Sequence, residues 1–121
     1  MPMKKKKTPK TYKTQVIYDD TFRATYHVSY GMPEKQFVQE IRKHIEFDDD
    51  LTNVGGICSR IVKNGSEVIW VWTRTRHLPD LIHECLHAVS KNLRHRGIQL
   101  DNGSSEETYC YALGMLIGKI R

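Results

Sequence analysis

Leu81-Ile82-His83-Glu84-Cys85-Leu86-His87-Ala88-Val89 places two histidines four residues apart around a glutamate, inside an apolar-periodic stretch. On an α-helix, residues four apart stack on one face a turn apart, so both imidazoles can grip the same metal ion. Glu84 projects at a neighbouring angle, close enough to reach a metal-bound water without being a ligand itself. Zinc held by neutral ligands lowers the pKa of that water to roughly 7, and a carboxylate can then take its proton. H-E-x-x-H on a helix is a zinc-enzyme signature for these reasons. The plainer alternative is a surface helix that happens to carry two histidines, and the apolar periodicity around the motif argues against it.

Working outward, Pro79 stands where a helix tolerates its missing N–H, and Gly97 is expected to stop that helix just after His95. Ile82, Leu86, Val89 and Leu93 form its expected buried stripe. Upstream, segments 57–62 and 67–75 flank Lys63-Asn64-Gly65-Ser66, whose Asn-Gly predicts a tight hairpin. In the second of these strands Val68, Trp70 and Trp72 alternate with Ile69 and Val71. Both faces are apolar, which suits a strand covered by helices on at least one side. Two tryptophans in one strand can also line a substrate groove, although core packing is the commoner use. Segments 12–18 and 21–30, rich in Thr, Tyr and Val around Asp19-Asp20, predict a first hairpin. Pro33 opens a helix with Phe37, Val38, Ile41 and Ile45 as its stripe, stopped by Asp48-Asp49-Asp50, and Gly55-Gly56 marks a turn. A last helix starts near Ser104, which has capping-box spacing to Glu107, and runs to about Ile120. The order is ββαββαα, an α+β layout with helices against an antiparallel sheet.

With 121 residues the chain is one domain with a single modest core. The net charge of +5 is confined to its start: Lys4, Lys5, Lys6, Lys7 and Lys10 are five of the nineteen basic residues, and the other fourteen match the fourteen acidic ones. Residues 1–10 read as a disordered basic tail and 11–121 as a formally neutral domain. The neutral part has no basic stripe, so nucleic acid is expected, if at all, only through the lysine tail, whose other use is solubility. Lys4 to Lys7 are not followed by an apolar segment, and no stretch approaches transmembrane length, which points to a cytoplasmic protein without a membrane partner. Cys58, Cys85 and Cys110 form no C-x-x-C pair and suit a reduced compartment.

Catalytic zinc usually takes three protein ligands. The metzincin arrangement needs a histidine six residues after His87; that position is Leu93, which excludes the class. A carboxylate from the last helix is the remaining pattern, and Glu106 and Glu107 are both candidates. Glu106 lies along the stripe of Tyr109, Leu113, Ile117 and Ile120. Glu107 lines up with Cys110, Gly114 and Gly118, a row of small residues that would let two helices approach closely. Glu107 is therefore preferred, with its capping-box role as the rival use of the same carboxylate.

His83-Glu84-Cys85-Leu86-His87-Ala88-Val89, Arg96-Gly97-Ile98 and Glu107-Thr108-Tyr109-Cys110-Tyr111-Ala112-Leu113-Gly114 together resemble the small zincin-like proteins of phages and prophages. They are also similar to minimal gluzincins, whose last helix carries Glu followed three residues later by a small residue; Cys110 holds that place here. The resemblance covers roughly residues 67–120 and implies a zincin fold, peptidase-type chemistry and Glu107 as ligand. Larger gluzincins often have an Asp one turn after the glutamate ligand, where this chain has Tyr111, so support for the ligands is expected from Asp80 or Asp101. Gly56-Ile57-Cys58-Ser59 has a slighter similarity to the cysteine-ligand segment of peptide deformylases, which would make Cys58 a ligand. That family's Asp before the second motif histidine is Leu86 here. Cys85 and Cys110 read as packing residues.

The sequence thus predicts one Zn2+ per chain held by His83, His87 and Glu107, with Glu84 as general base of a metallopeptidase. Tyr111 is a candidate donor to the oxyanion, its other reading being a packed core tyrosine. The strand at 67–75 could pair with an extended peptide, with Trp70 or Trp72 lining a subsite. The alternatives are a zinc-binding regulatory protein of phage origin without turnover and a nucleic-acid accessory protein working through its tail. A compact chain with few residues to enclose a substrate also fits a homodimer.

Overall fold

Two hairpins joined through a helix make one four-stranded sheet. The computed structural model describes residues 12–101 and 105–121. β1 (Gln15–Asp19) and β2 (Ala24–Tyr30) form the first hairpin, and α1 (Glu34–Arg42) follows. β3 (Gly56–Lys63) and β4 (Ser66–Thr73) form the second hairpin, and α2 (Leu78–His95) and α3 (Glu106–Lys119) close the chain. The ββαββαα order and the α+β class are those expected. The basic segment 1–10 and the capping residue Ser104 lie outside the described residues. No described helix is long and apolar enough to cross a membrane.

The strand order β1-β2-β4-β3 corrects the expectation of an antiparallel sheet. Each hairpin is antiparallel, but the seam pairs β2 with β4 in parallel, Tyr26 opposite Ile69 and Val28 opposite Val71. The crossover through α1 causes this: it delivers the chain to the far edge as β3, and β4 then returns through the middle. Asn64 (φ 52°) and Gly65 (φ 78°) occupy the two central positions of the second hairpin's turn, both in the left-handed region that a type I′ turn demands. At the first hairpin Asp19 Oδ1 accepts the N–H groups of Thr21 at 2.9 Å and Phe22 at 3.1 Å.

β4 is covered on both faces, as its two-sided apolar pattern requires. Ile69 and Val71 join Tyr26 and Val28 beneath α2 and α3. Trp70 and Trp72 point the other way, into a second core with Met32, Phe37, Ile41, Phe47 and Leu51. Trp72 stacks on Phe37 with 5.0 Å between ring centres and donates its indole N–H to the Met32 carbonyl at 2.8 Å. Both tryptophans are core residues on the face of the sheet away from α2, which overturns their expected role in a subsite. β4 itself is paired along both edges, so it cannot accept an added strand; the free edges belong to β1 and β3.

α1 ends at Arg42, before the acidic run expected to stop it. The Arg42 side chain donates to the Phe47 carbonyl at 3.0 Å, and the turn it holds tucks Phe47 and Leu51 into the second core. Gly97 (φ 80°) stops α2 as expected. Its N–H bonds the Arg94 carbonyl, and the Ile98 N–H bonds that of Leu93, each at 2.9 Å, a Schellman closure. The buried face of α2 keeps Val89 and Leu93 of the expected stripe and adds Leu81, Glu84, Cys85, Ala88 and Asn92, while Ile82 and Leu86 are 40% and 44% exposed. Small Cys85 and Ala88 let the helix sit close on the sheet, which rolls the larger pair onto its outer shoulder. In α3, Tyr109, Ala112 and Leu116 turn inward. A Cβ built on Gly114 or Gly118 would meet nothing within 4 Å, and Cys110 is exposed. The small-residue row therefore faces outward and does not bring α2 and α3 together.

Candidate metal centre

His83 and His87 lie on the outer surface of α2 with their Nε2 atoms 3.2 Å apart and their rings nearly perpendicular. A tetrahedral zinc with Zn–N bonds of about 2.0–2.1 Å would hold two imidazole nitrogens about 3.3 Å apart. The pair fits one ion. Glu84 is only 8% exposed, yet its Oε1 stands 3.9 Å from His83 Nε2. It is buried because the start of β3 lies over it: a Cβ on Gly56 would come within 2.9 Å of Glu84 Cγ and 2.6 Å of the Trp72 carbonyl oxygen. Only a residue without a side chain lets the strand approach so closely.

Burial raises the Glu84 carboxyl above the usual carboxylate range; the histidines on either side of it and Lys91 pull it back, while Asp80 adds to the rise. Asp80 itself is paired elsewhere, its Oδ2 3.2 Å from His77 Nδ1. Asp101 holds the entry to α3: its N–H donates to Ser105 Oγ at 2.9 Å, and its carboxylate accepts the Ser105 N–H at 3.4 Å. The Ser105 hydroxyl donates to the Gln99 carbonyl, and no side chain caps α3 at this residue.

Glu106 lines a cleft of about 290 Å³ between α2 and α3, with Leu86, Leu100, Asp101, Tyr109 and Cys110. Glu107 is exposed and does not line it. Among the described residues no three His, Cys, Asp or Glu side chains are assembled as an ion-binding group, so neither glutamate joins the histidine pair here. Tyr111 is 64% exposed on α3, so it is not a core tyrosine. Cys58 packs against the core under α2, where burial pushes its thiol up to about 12, with Lys91 opposing the rise and Glu84 adding to it.

Gly56, expected only as part of a Gly55-Gly56 turn, is the residue that buries Glu84. The available signal was a glycine at the edge of a strand pattern, which marks a close backbone approach. No protein-family model matches this chain, and neither a curated protein nor a solved structure is significantly similar to it.

Proposed function

We propose that the chain is a zinc-dependent peptidase holding one ion through His83 and His87, with Glu84 as its proton carrier. One observation carries the reading: two imidazole nitrogens at the spacing a shared ion requires, beside a carboxylate buried at 3.9 Å. Zinc in such a set supplies a Lewis acid that acidifies water and polarises a carbonyl. The third donor is a carboxylate from the start of α3. Glu106, which lines the cleft beside Leu86, now has the stronger support, because the small-residue row that favoured Glu107 faces outward. Glu84 Oε1 accepts the proton of the attacking water and delivers it to the departing amine, and β3, lying over it, limits its solvation. The free edge of β3 takes over the place first expected of β4: its unpaired N–H and C=O groups can bind an extended peptide backbone.

A zinc-binding regulatory protein without turnover is favoured by the lack of a third donor beside the histidines among the described residues. Metal content by mass spectrometry, with hydrolysis of a peptide library, separates the two. Wild type and Glu84→Gln are expected to hold about one zinc per chain, and His83→Ala to lose it. Of Glu106→Ala and Glu107→Ala, the one that loses zinc identifies the ligand. Hydrolysis in Glu84→Gln should fall by about 10²–10⁴-fold. Zinc without cleavage of any peptide would establish the regulatory reading, and a protein that stays metal-free in excess zinc would overturn both.

A further inference from the structure

The free edge of β3 and the outer flank of α2 run side by side, and the charge along them changes sign. At the histidine end, a Cβ on Gly55 would lie 3.8 Å from the Asp80 carboxylate, and Gly56 packs against Glu84. Farther along, Cys58 lies within the field of Lys91. Arg60 Nη2 stands 3.1 Å and 3.0 Å from the two ring nitrogens of His95. β3 and α2 therefore point the same way, from Gly56 and Glu84 towards Arg60 and His95. Lys91 follows His87 by one helical turn and Arg94 by two, so exposed cations continue the line of the histidines. Neither Lys91 nor Arg94 makes an ion pair among the described residues, and Glu67 at this end is already engaged by Arg60 at 3.1 Å.

We infer that the site selects extended peptides bearing aspartate or glutamate on the N-terminal side of the bond to be cut. This rests on the peptidase reading above. A peptide added to β3 in the more stable antiparallel sense travels from the Lys63 end towards Gly56. Its earlier residues therefore pass Lys91, with Arg94 beyond it on the outer face of α2 beside Gln99 and Leu100, before its backbone reaches Glu84; Arg60 is already paired with Glu67. Acidic side chains there meet cations, whereas basic ones meet repulsion. A polynucleotide would match the cations but leave the strand edge unpaired, which favours a peptide.

The test uses zinc-loaded Glu84→Gln, full length, and fluorescein-labelled decapeptides with an apolar centre, read by anisotropy. The flank on the N-terminal side is Asp/Glu, Ser/Gln or Lys, and a further peptide carries its acids on the C-terminal side. The acidic N-terminal flank should bind roughly tenfold more tightly than its lysine counterpart, a gap that narrows with salt. Combined Lys91→Glu and Arg94→Glu should abolish or invert the order. Equal binding of all peptides, an order unmoved by charge reversal, or preference for C-terminal acids would overturn the inference. So would a single-stranded oligonucleotide that outcompetes the acidic peptide. If zinc-loaded wild type cleaves peptides regardless of charge, the peptidase reading stands and the specificity falls. Charge-dependent binding with no cleavage removes the peptidase reading and keeps the acidic preference of the groove.

Discussion

At Gly56 a methyl group would stand 2.6 Å from the Trp72 carbonyl oxygen and 2.9 Å from Glu84 Cγ, so the first residue of the edge strand and the buried carboxylate compete for one space. Gly56→Ala should cost about 1–3 kcal/mol in urea unfolding, as overpacking does. Gly55→Ala, whose Cβ meets Asp80 at an ordinary 3.8 Å, should stay within about 0.5 kcal/mol of wild type. Equal effects at the two positions would mean that β3 does not press on Glu84. His83, Glu84 and His87 were legible in the sequence because their relation is local, set by the helical repeat. The role of Gly56 was not, because its contact joins β3 to a helix twenty-eight residues further along the chain. The preference for Glu107 over Glu106 rests on an assumed helix–helix contact through its row of small residues, and that row faces outward.

For the elements, periodicity identified α2, both of its ends and the buried Val89 and Leu93, but also assigned Ile82 and Leu86 to the buried face. Leu81, Cys85 and Ala88 form one series at helical spacing, and Ile82 and Leu86 form another beside it. Hydrophobicity favours the second, whereas close packing on the sheet favours the smaller residues of the first. In α3 the same ambiguity made a solvent-facing row of small residues look like a contact surface. Gly114→Ala tests this directly. With open space at its Cβ, the substitution should stabilise the protein by about 0.5–1 kcal/mol through helix propensity alone. A loss of stability in urea unfolding, or a change of oligomeric state by light scattering, would show that the row is packed against something.

Across the whole molecule, the core beneath α2 keeps two thiols and a phenol away from water. Burial raises Cys58 and Cys85 from 9.0 to about 12 each, and raises Tyr26 as well. The folded state therefore holds these protons more tightly than the unfolded chain. Their contribution is complete below about pH 9 and is lost as pH rises towards 12. The urea midpoint of wild type should fall between pH 8.5 and about 10.5, and Cys58→Ala with Cys85→Ala should flatten that fall; a level wild-type profile would contradict it. Both hairpins were legible from their turns, Asn64-Gly65 above all, but the parallel seam between them was not, because nothing local records it. That seam has a consequence for the order of folding. Each hairpin closes across a few residues, whereas Tyr26 must find Ile69 forty-three positions away. Loop-closure entropy makes such a meeting slow, so the seam is expected to set the refolding rate. Trp70 and Trp72 both stand on the seam strand, and their fluorescence should lag behind the appearance of backbone circular dichroism. The strand that leads into the helix of His83 and His87 is thus expected to be the last to gain both of its neighbours.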